Sequence, residues 1–159
     1  MSVVRCQLER QRITAEIAGR FNRASGMNMQ ASRYQDLIAW QKAIALVKDV
    51  YQVTGSFPQK ETFGLVSQMQ RSAVSIPSNI AEGQGRTTRG EFHQFLGLAR
   101  GSLYELETQL VIASELRYIS SEQRDCSLSQ AREVGRILNA LLSSMSKQGR
   151  PARQPTTEN

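Results

Sequence analysis

The sequence predicts an all-α protein, an antiparallel up-down-up-down four-helix bundle, and three observations predict it. Between residues 33 and 147, four long segments carry apolar residues at steps of three and four, the pattern of a helix with one buried face. No stretch alternates with period two for long enough to form a strand. The punctuation between segments is short, and short connections leave consecutive helices antiparallel.

The first helix is expected from about Asp36, a candidate N-cap, to about Thr54. Leu37, Trp40, Ile44, Val47 and Tyr51 form one stripe, and Ala43, Leu46, Val50 and Val53 form a second. One apolar face suffices in a simple bundle, so the second stripe is expected to meet another subunit or the N-terminal segment.

Gly55-Ser56-Phe57-Pro58 closes this helix and opens the next, since Gly terminates helices and Pro is tolerated in a first turn. The second helix is then expected from about Gln59 to Glu82, with Pro77 bending it near Ala73 because a prolyl ring removes one backbone bond and crowds the preceding turn. Gly83-Gln84-Gly85-Arg86 ends it.

Thr88-Arg89-Gly90-Glu91 has the spacing of a capping box and starts the third helix. Phe92, Leu96, Ala99, Leu103, Leu106, Leu110 and Ala113 alternate steps of four and three, the seam of a bundle or coiled coil. Gly97 and Gly101 lie one turn apart, a spacing that lets another backbone approach. Arg117 to Ser120 leads to the fourth helix, where Ser120 and Gln123 make a second box and Ala131, Val134, Leu138, Leu141 and Met145 continue the seam.

Residues 1–32 form an N-terminal extension with weak periodicity at Ile13, Ile17 and Phe21, either a short helix or residues preceding a true start at Met27 or Met29. Its arginines resemble those of a transit peptide, but Glu9 and Glu16 argue against one. The polar residues 148–159 are expected to be a disordered tail.

The net charge of +6 raises the question of nucleic acid, and its distribution answers part of it. Residues 1–32 hold five Arg against two Glu, and residues 148–159 two Arg against one Glu, which leaves 13 basic and 11 acidic residues, only +2, for 33–147. Nucleic-acid affinity would have to come from the tails, a local patch, or repetition of a modest patch around an oligomer. No apolar run approaches the roughly 18 to 20 residues of a membrane span. Cys6 and Cys126 are far apart and in no paired motif, which suits a reducing cytoplasm better than a disulfide scaffold.

Motifs for catalysis are sparse. His93 is the only histidine and has no Cys or carboxylate at metal-ligand spacing. Gly83-Gln84-Gly85-Arg86 superficially resembles a phosphate loop but follows a helix and lacks the Gly-Lys-Ser/Thr ending. No nucleophile, base and orienting group can be assembled, so an enzyme is not expected, and neither cofactor nor metal is expected. Arg86 and Arg89 flank the start of the third helix, where an anion could be held. The second helix carries a polar set that includes Gln68, Arg71, Ser75, Asn79 and Glu82, and the third carries Arg100, Ser102, Glu105 and Glu107. These sets read as a structural polar network or subunit interface, opposite charges pairing between the helices.

Together these residues resemble one family. Asp36-Leu37-Ile38-Ala39-Trp40-Gln41-Lys42-Ala43, Phe57-Pro58, the string Ser75-Ile76-Pro77-Ser78-Asn79-Ile80-Ala81-Glu82-Gly83, and Ala99-Arg100-Gly101-Ser102-Leu103 with Glu105-Leu106-Glu107-Thr108-Gln109-Leu110 are similar to the bacterial four-helix-bundle proteins encoded by intervening sequences of 23S ribosomal RNA genes. The resemblance spans about 34 to 146. It implies a ring-shaped homopentamer without known enzymatic activity. Similar bundles act as accessory variability determinants of diversity-generating retroelements, where a basic pentamer binds nucleic acid and a reverse transcriptase. The present bundle departs from these in being nearly neutral, and Thr62 stands where a basic or small residue is common.

The expectation is therefore a cytoplasmic, non-catalytic homo-oligomer that engages RNA or DNA weakly through Arg71, Arg86, Arg89 and Arg100. Its rival is a protein-protein adaptor or accessory subunit, in which those arginines pair with Glu82, Glu105 and Glu107.

Overall fold

The computed structural model describes residues 33–147, and the readings of 1–32 and 148–159 lie outside the described residues. Four helices follow one another: α1 (Ile38–Thr54), α2 (Leu65–Gln84), α3 (Arg89–Glu115) and α4 (Ser121–Lys147). Each of α1 and α3 packs on both α2 and α4, which closes a four-cornered bundle. Contacts at opposed heights fix the directions. Ser75 meets Ser102 while Gly83 meets Phe95, and Lys42 meets Glu133 while Asp49 meets Ser127, so neighbouring helices run antiparallel. The up-down-up-down bundle is as expected.

Why the helices start where they do differs from end to end. At α3 the box is complete: Glu91 N–H donates to Thr88 Oγ1 at 3.2 Å and Thr88 N–H donates to Glu91 Oε2 at 3.2 Å. At α4, Ser120 N–H donates to Gln123 Oε1 at 2.9 Å and Gln123 N–H to Ser120 Oγ at 3.3 Å. Both boxes satisfy amide groups that a helix start leaves without partners.

Two predicted starts are corrected. Asp36 does not cap α1; it closes a 3-10 turn, Tyr34–Asp36, and Leu37 occupies the cap position. The second helix does not run from Gln59. Gln59–Glu61 is a separate 3-10 turn, and α2 begins at Leu65, whose N–H donates to Glu61 Oε2 at 3.2 Å. α2 continues unbroken through the buried Pro77.

The core gathers Leu46, Val50, Met69, Ile76, Ile80, Leu96, Leu103, Leu106, Leu110, Val134 and Leu138, all at 1% exposure or less. The third-helix seam is buried as predicted from Leu96 to Ala113. On α4, Leu142 rather than Leu141 takes the buried position.

The larger revision is on α1. Its core face is Ala39, Ala43, Leu46, Val50 and Val53, so the stripe assigned to an outside partner is the inner one. Leu37, Trp40, Ile44 and Val47 are only half-buried, and Tyr51 is exposed. Small side chains at Ala39 and Ala43 let α1 sit close to its neighbours, which leaves the bulkier stripe on the flank.

Close approach also explains Gly83. A Cβ there would lie 2.7 Å from Phe95 Cβ and 2.9 Å from Phe92 Cδ2, so α2 and α3 converge at a point only glycine permits. Gly97 and Gly101 behave differently: a Cβ at either would meet nothing of the described chain within 4 Å. Whatever approaches that face comes from outside the described bundle. At the C-terminus of α3, Arg117 adopts φ 59°. Its N–H donates to Ser114 O and Tyr118 N–H to Ala113 O, both at 2.9 Å, a Schellman ending with arginine in the usual glycine position.

Cys126 lies half-buried on α4 and is not a free thiol, which corrects the expectation of a reducing setting over a disulfide.

Candidate functional site

The polar sets on α2 and α3 meet, though not as ion pairs. Ser75 and Ser102 join hydroxyl to hydroxyl at 2.9 Å, and Asn79 Nδ2 donates to Ser75 O at 2.8 Å and to Ser75 Oγ at 2.9 Å. Neutral hydroxyls suit this half-buried strip because each both donates and accepts, so neither helix leaves a desolvated charge behind. Ser75, Asn79 and Ser102 are thus joined by hydrogen bonds between α2 and α3.

The charged members turn elsewhere, which corrects the expected pairing between α2 and α3. Glu82 forms an ion pair one turn on with Arg86. Arg100 reaches α4, donating from Nη1 to Asn139 Oδ1 at 3.2 Å. Glu105 is exposed and accepts from Gln109 Nε2 at 3.2 Å. Burial pushes the Glu107 carboxyl above the usual carboxylate range, with Arg132 on α4 partly opposing the shift. Gln68 is exposed and takes no part in the Ser75 strip.

The four candidate arginines do not gather. Arg86 stacks 4.8 Å over the Phe95 ring while pairing with Glu82. Arg89 opens α3 nearby and is exposed. Arg71 is exposed on α2, thirteen residues before Gln84 and so about 20 Å along the axis at 1.5 Å per residue. Arg100 faces α4. Only Arg86 and Arg89 share one end of the bundle.

His93 is exposed and lies 3.3 Å from Ser146 Oγ. Among the described residues no group of three His, Cys, Asp or Glu is placed to hold a metal ion. No described helix is long and apolar enough to cross a membrane.

Sequence reasoning missed one apolar groove. Trp40, Ile44 and Val47 of α1 face Val74, Pro77 and Ala81 of α2 across an open groove of about 280 Å³. Tyr34 closes one end, its ring edge-on to Trp40 at 5.4 Å between centroids. Large apolar side chains are also exposed on the outer half of α3, where Leu98, Tyr104, Val111 and Ile112 are all at least 42% exposed, interleaved with exposed Glu105 and Thr108. The doubled stripe in α1 was the available signal. It was read with its faces exchanged.

Four antiparallel helices around one apolar core, with a neutral polar strip and two exposed apolar surfaces, define the class as an all-helical four-helix bundle. The chain belongs to the family of 23S rRNA-intervening sequence proteins, whose family model matches residues 35–140, as the resemblance implied. A solved structure of a protein of unknown function from the S23 ribosomal protein family of Bacteroides thetaiotaomicron has the same fold, with a TM-score of 0.60 and 22% identity. The match covers 66% of this chain and 98% of that one. No curated protein matches the chain.

Proposed function

We propose that this protein is a non-catalytic, self-assembling scaffold that works through protein-protein contacts. The observation that carries this reading is the pair of exposed apolar surfaces, the α1–α2 groove and the outer side of α3. Apolar side chains left exposed on a small domain suit an interaction site, because leaving them in water forfeits about 25 cal/mol for each Å² that a partner would cover. The groove is open and lined mainly by apolar side chains, a surface that side chains of a protein suit. A five-membered ring is the assembly the family resemblance implies.

Direct RNA or DNA contact is the second reading, and one observation favours it: Arg86 and Arg89 stand together at the start of α3. A ring would repeat that pair around one rim. Phosphate contacts of this kind are salt-dependent and poor in sequence specificity. Against it, Arg86 is already engaged by Glu82 and Phe95, and Arg71 and Arg100 are remote.

Titration of fluorescently labelled single-stranded RNA at low and at physiological salt separates the two. The scaffold reading expects the same weak anisotropy change for the wild type and for Arg86→Glu with Arg89→Glu. Binding by the wild type that the double variant loses at unchanged mass would establish the nucleic-acid reading instead.

A further inference from the structure

We infer that the copies join head to tail, the outer ridge of α3 in one protomer seated in the α1–α2 groove of the next. This rests on the self-assembly reading and assigns its contact surfaces. Shape supplies the first argument. The groove is concave and is built by Trp40, Ile44, Val47, Val74 and Pro77, whereas Leu98, Tyr104, Val111 and Ile112 stand out from a single convex helix. Groove and ridge lie on different corners of the bundle, so a single ridge-in-groove contact leaves one groove and one ridge of the pair unfilled; such a heterologous contact closes into a ring when its rotation allows.

Position and charge agree. Among the described residues α3 is the corner diagonal to α1 and packs mainly on α2 and α4, which leaves its outer face available when the groove of the same protomer is filled. Exposed Lys48 follows Ile44 by one turn and exposed Arg71 precedes Val74, placing cations beside the groove. Exposed Glu105 and Glu115 lie along the ridge. None of these four makes an ion pair among the described residues. Opposite signs on the two faces steer unlike surfaces together and oppose like ones. Gly97 and Gly101, with open space where a Cβ would stand, lower the ridge enough for a neighbouring helix to come close.

The test uses two variants of the full chain at positions exposed in the protomer. Val74→Asp spoils the groove and leaves the ridge; Ile112→Asp spoils the ridge and leaves the groove. Each alone is expected to run as a folded monomer by light scattering and circular dichroism. Mixed in equal amounts they are expected to form a dimer and nothing larger, because the mixture holds one intact groove for one intact ridge. Ser78→Arg and Tyr104→Asp replace either variant should its helix content fall. If the variants keep the wild-type mass, or the mixture stays monomeric, the surface assignment is overturned while self-assembly stands. A wild type that is itself monomeric overturns both.

Discussion

The Tyr118 hydroxyl donates a hydrogen bond of 3.0 Å to Glu61, joining the connection between α1 and α2 to the connection between α3 and α4. The other oxygen of Glu61 accepts the Leu65 N–H, and the Tyr118 ring leans on Phe57 at 5.3 Å. One carboxylate thus caps α2 and ties both loops at one end of the bundle. Tyr118→Phe removes only the hydroxyl and is expected to lower stability by about 1 kcal/mol, the usual net worth of such a bond. Tyr118→Ala also loses the ring contact and should cost distinctly more. Urea denaturation of both, together with Glu61→Gln and the double variant, checks this: Glu61→Gln should cost less on the Tyr118→Phe background than alone.

Arg117 ends α3 in a left-handed conformation that glycine adopts without the steric penalty of about 1–2 kcal/mol. Glycine also gains freedom in the unfolded chain, which returns part of that difference. Arg117→Gly is therefore expected to raise stability by about 0.5–1 kcal/mol, read as a higher urea midpoint at unchanged slope.

Gly83→Ala should be destabilising by about 1–3 kcal/mol, since the new methyl would overlap Phe95 and Phe92 in a packed helix crossing. Gly90→Ala, where the same methyl meets nothing within 4 Å, is the control. It is expected to be neutral or slightly stabilising by helix propensity. Thermal unfolding of the pair separates close packing from the general effect of removing a glycine.

Two carboxylates shift stability with pH in opposite senses. Hydrogen bonds from Thr88, first through its side chain and then its backbone, hold Glu91 below the usual carboxylate range. Its capping contribution is present above the unfolded-state value and is lost as pH falls through the lower folded value. Glu107 is raised by burial, so its ionised form opposes folding. That penalty grows as pH rises from the unfolded value through the higher folded one, and it is absent in acid. Glu107→Gln should therefore stabilise at neutral pH and lose the gain in acid, while Glu91→Gln should destabilise at neutral pH and converge on the wild type in acid. Urea midpoints across that range check both signs.

What the sequence made legible was whatever local spacing controls. The Thr88–Glu91 and Ser120–Gln123 boxes and the seam from Leu96 to Ala113 depend on offsets of three and four along one helix, and all three stand as read. The start of α2 was misplaced because Pro58 is a good opening residue, whereas the real start depends on Glu61 reaching Leu65 after a 3-10 turn. The two stripes of α1 were equally periodic. Periodicity cannot rank them, and the bulkier one was displaced because Ala39 and Ala43 pack more closely than Trp40 allows. Between helices the reading was weakest. Arg100 shares α3 with Glu105, yet its partner Asn139 lies on α4, and only the packing of the helices reveals it.

The most direct measurement is the light-scattering mass of the full-length protein at low and high salt. The account predicts a single species of several protomers, five where the family ring applies, that keeps its mass as salt rises, because apolar contact between groove and ridge is not screened. A mass of one protomer at both salt concentrations would contradict it.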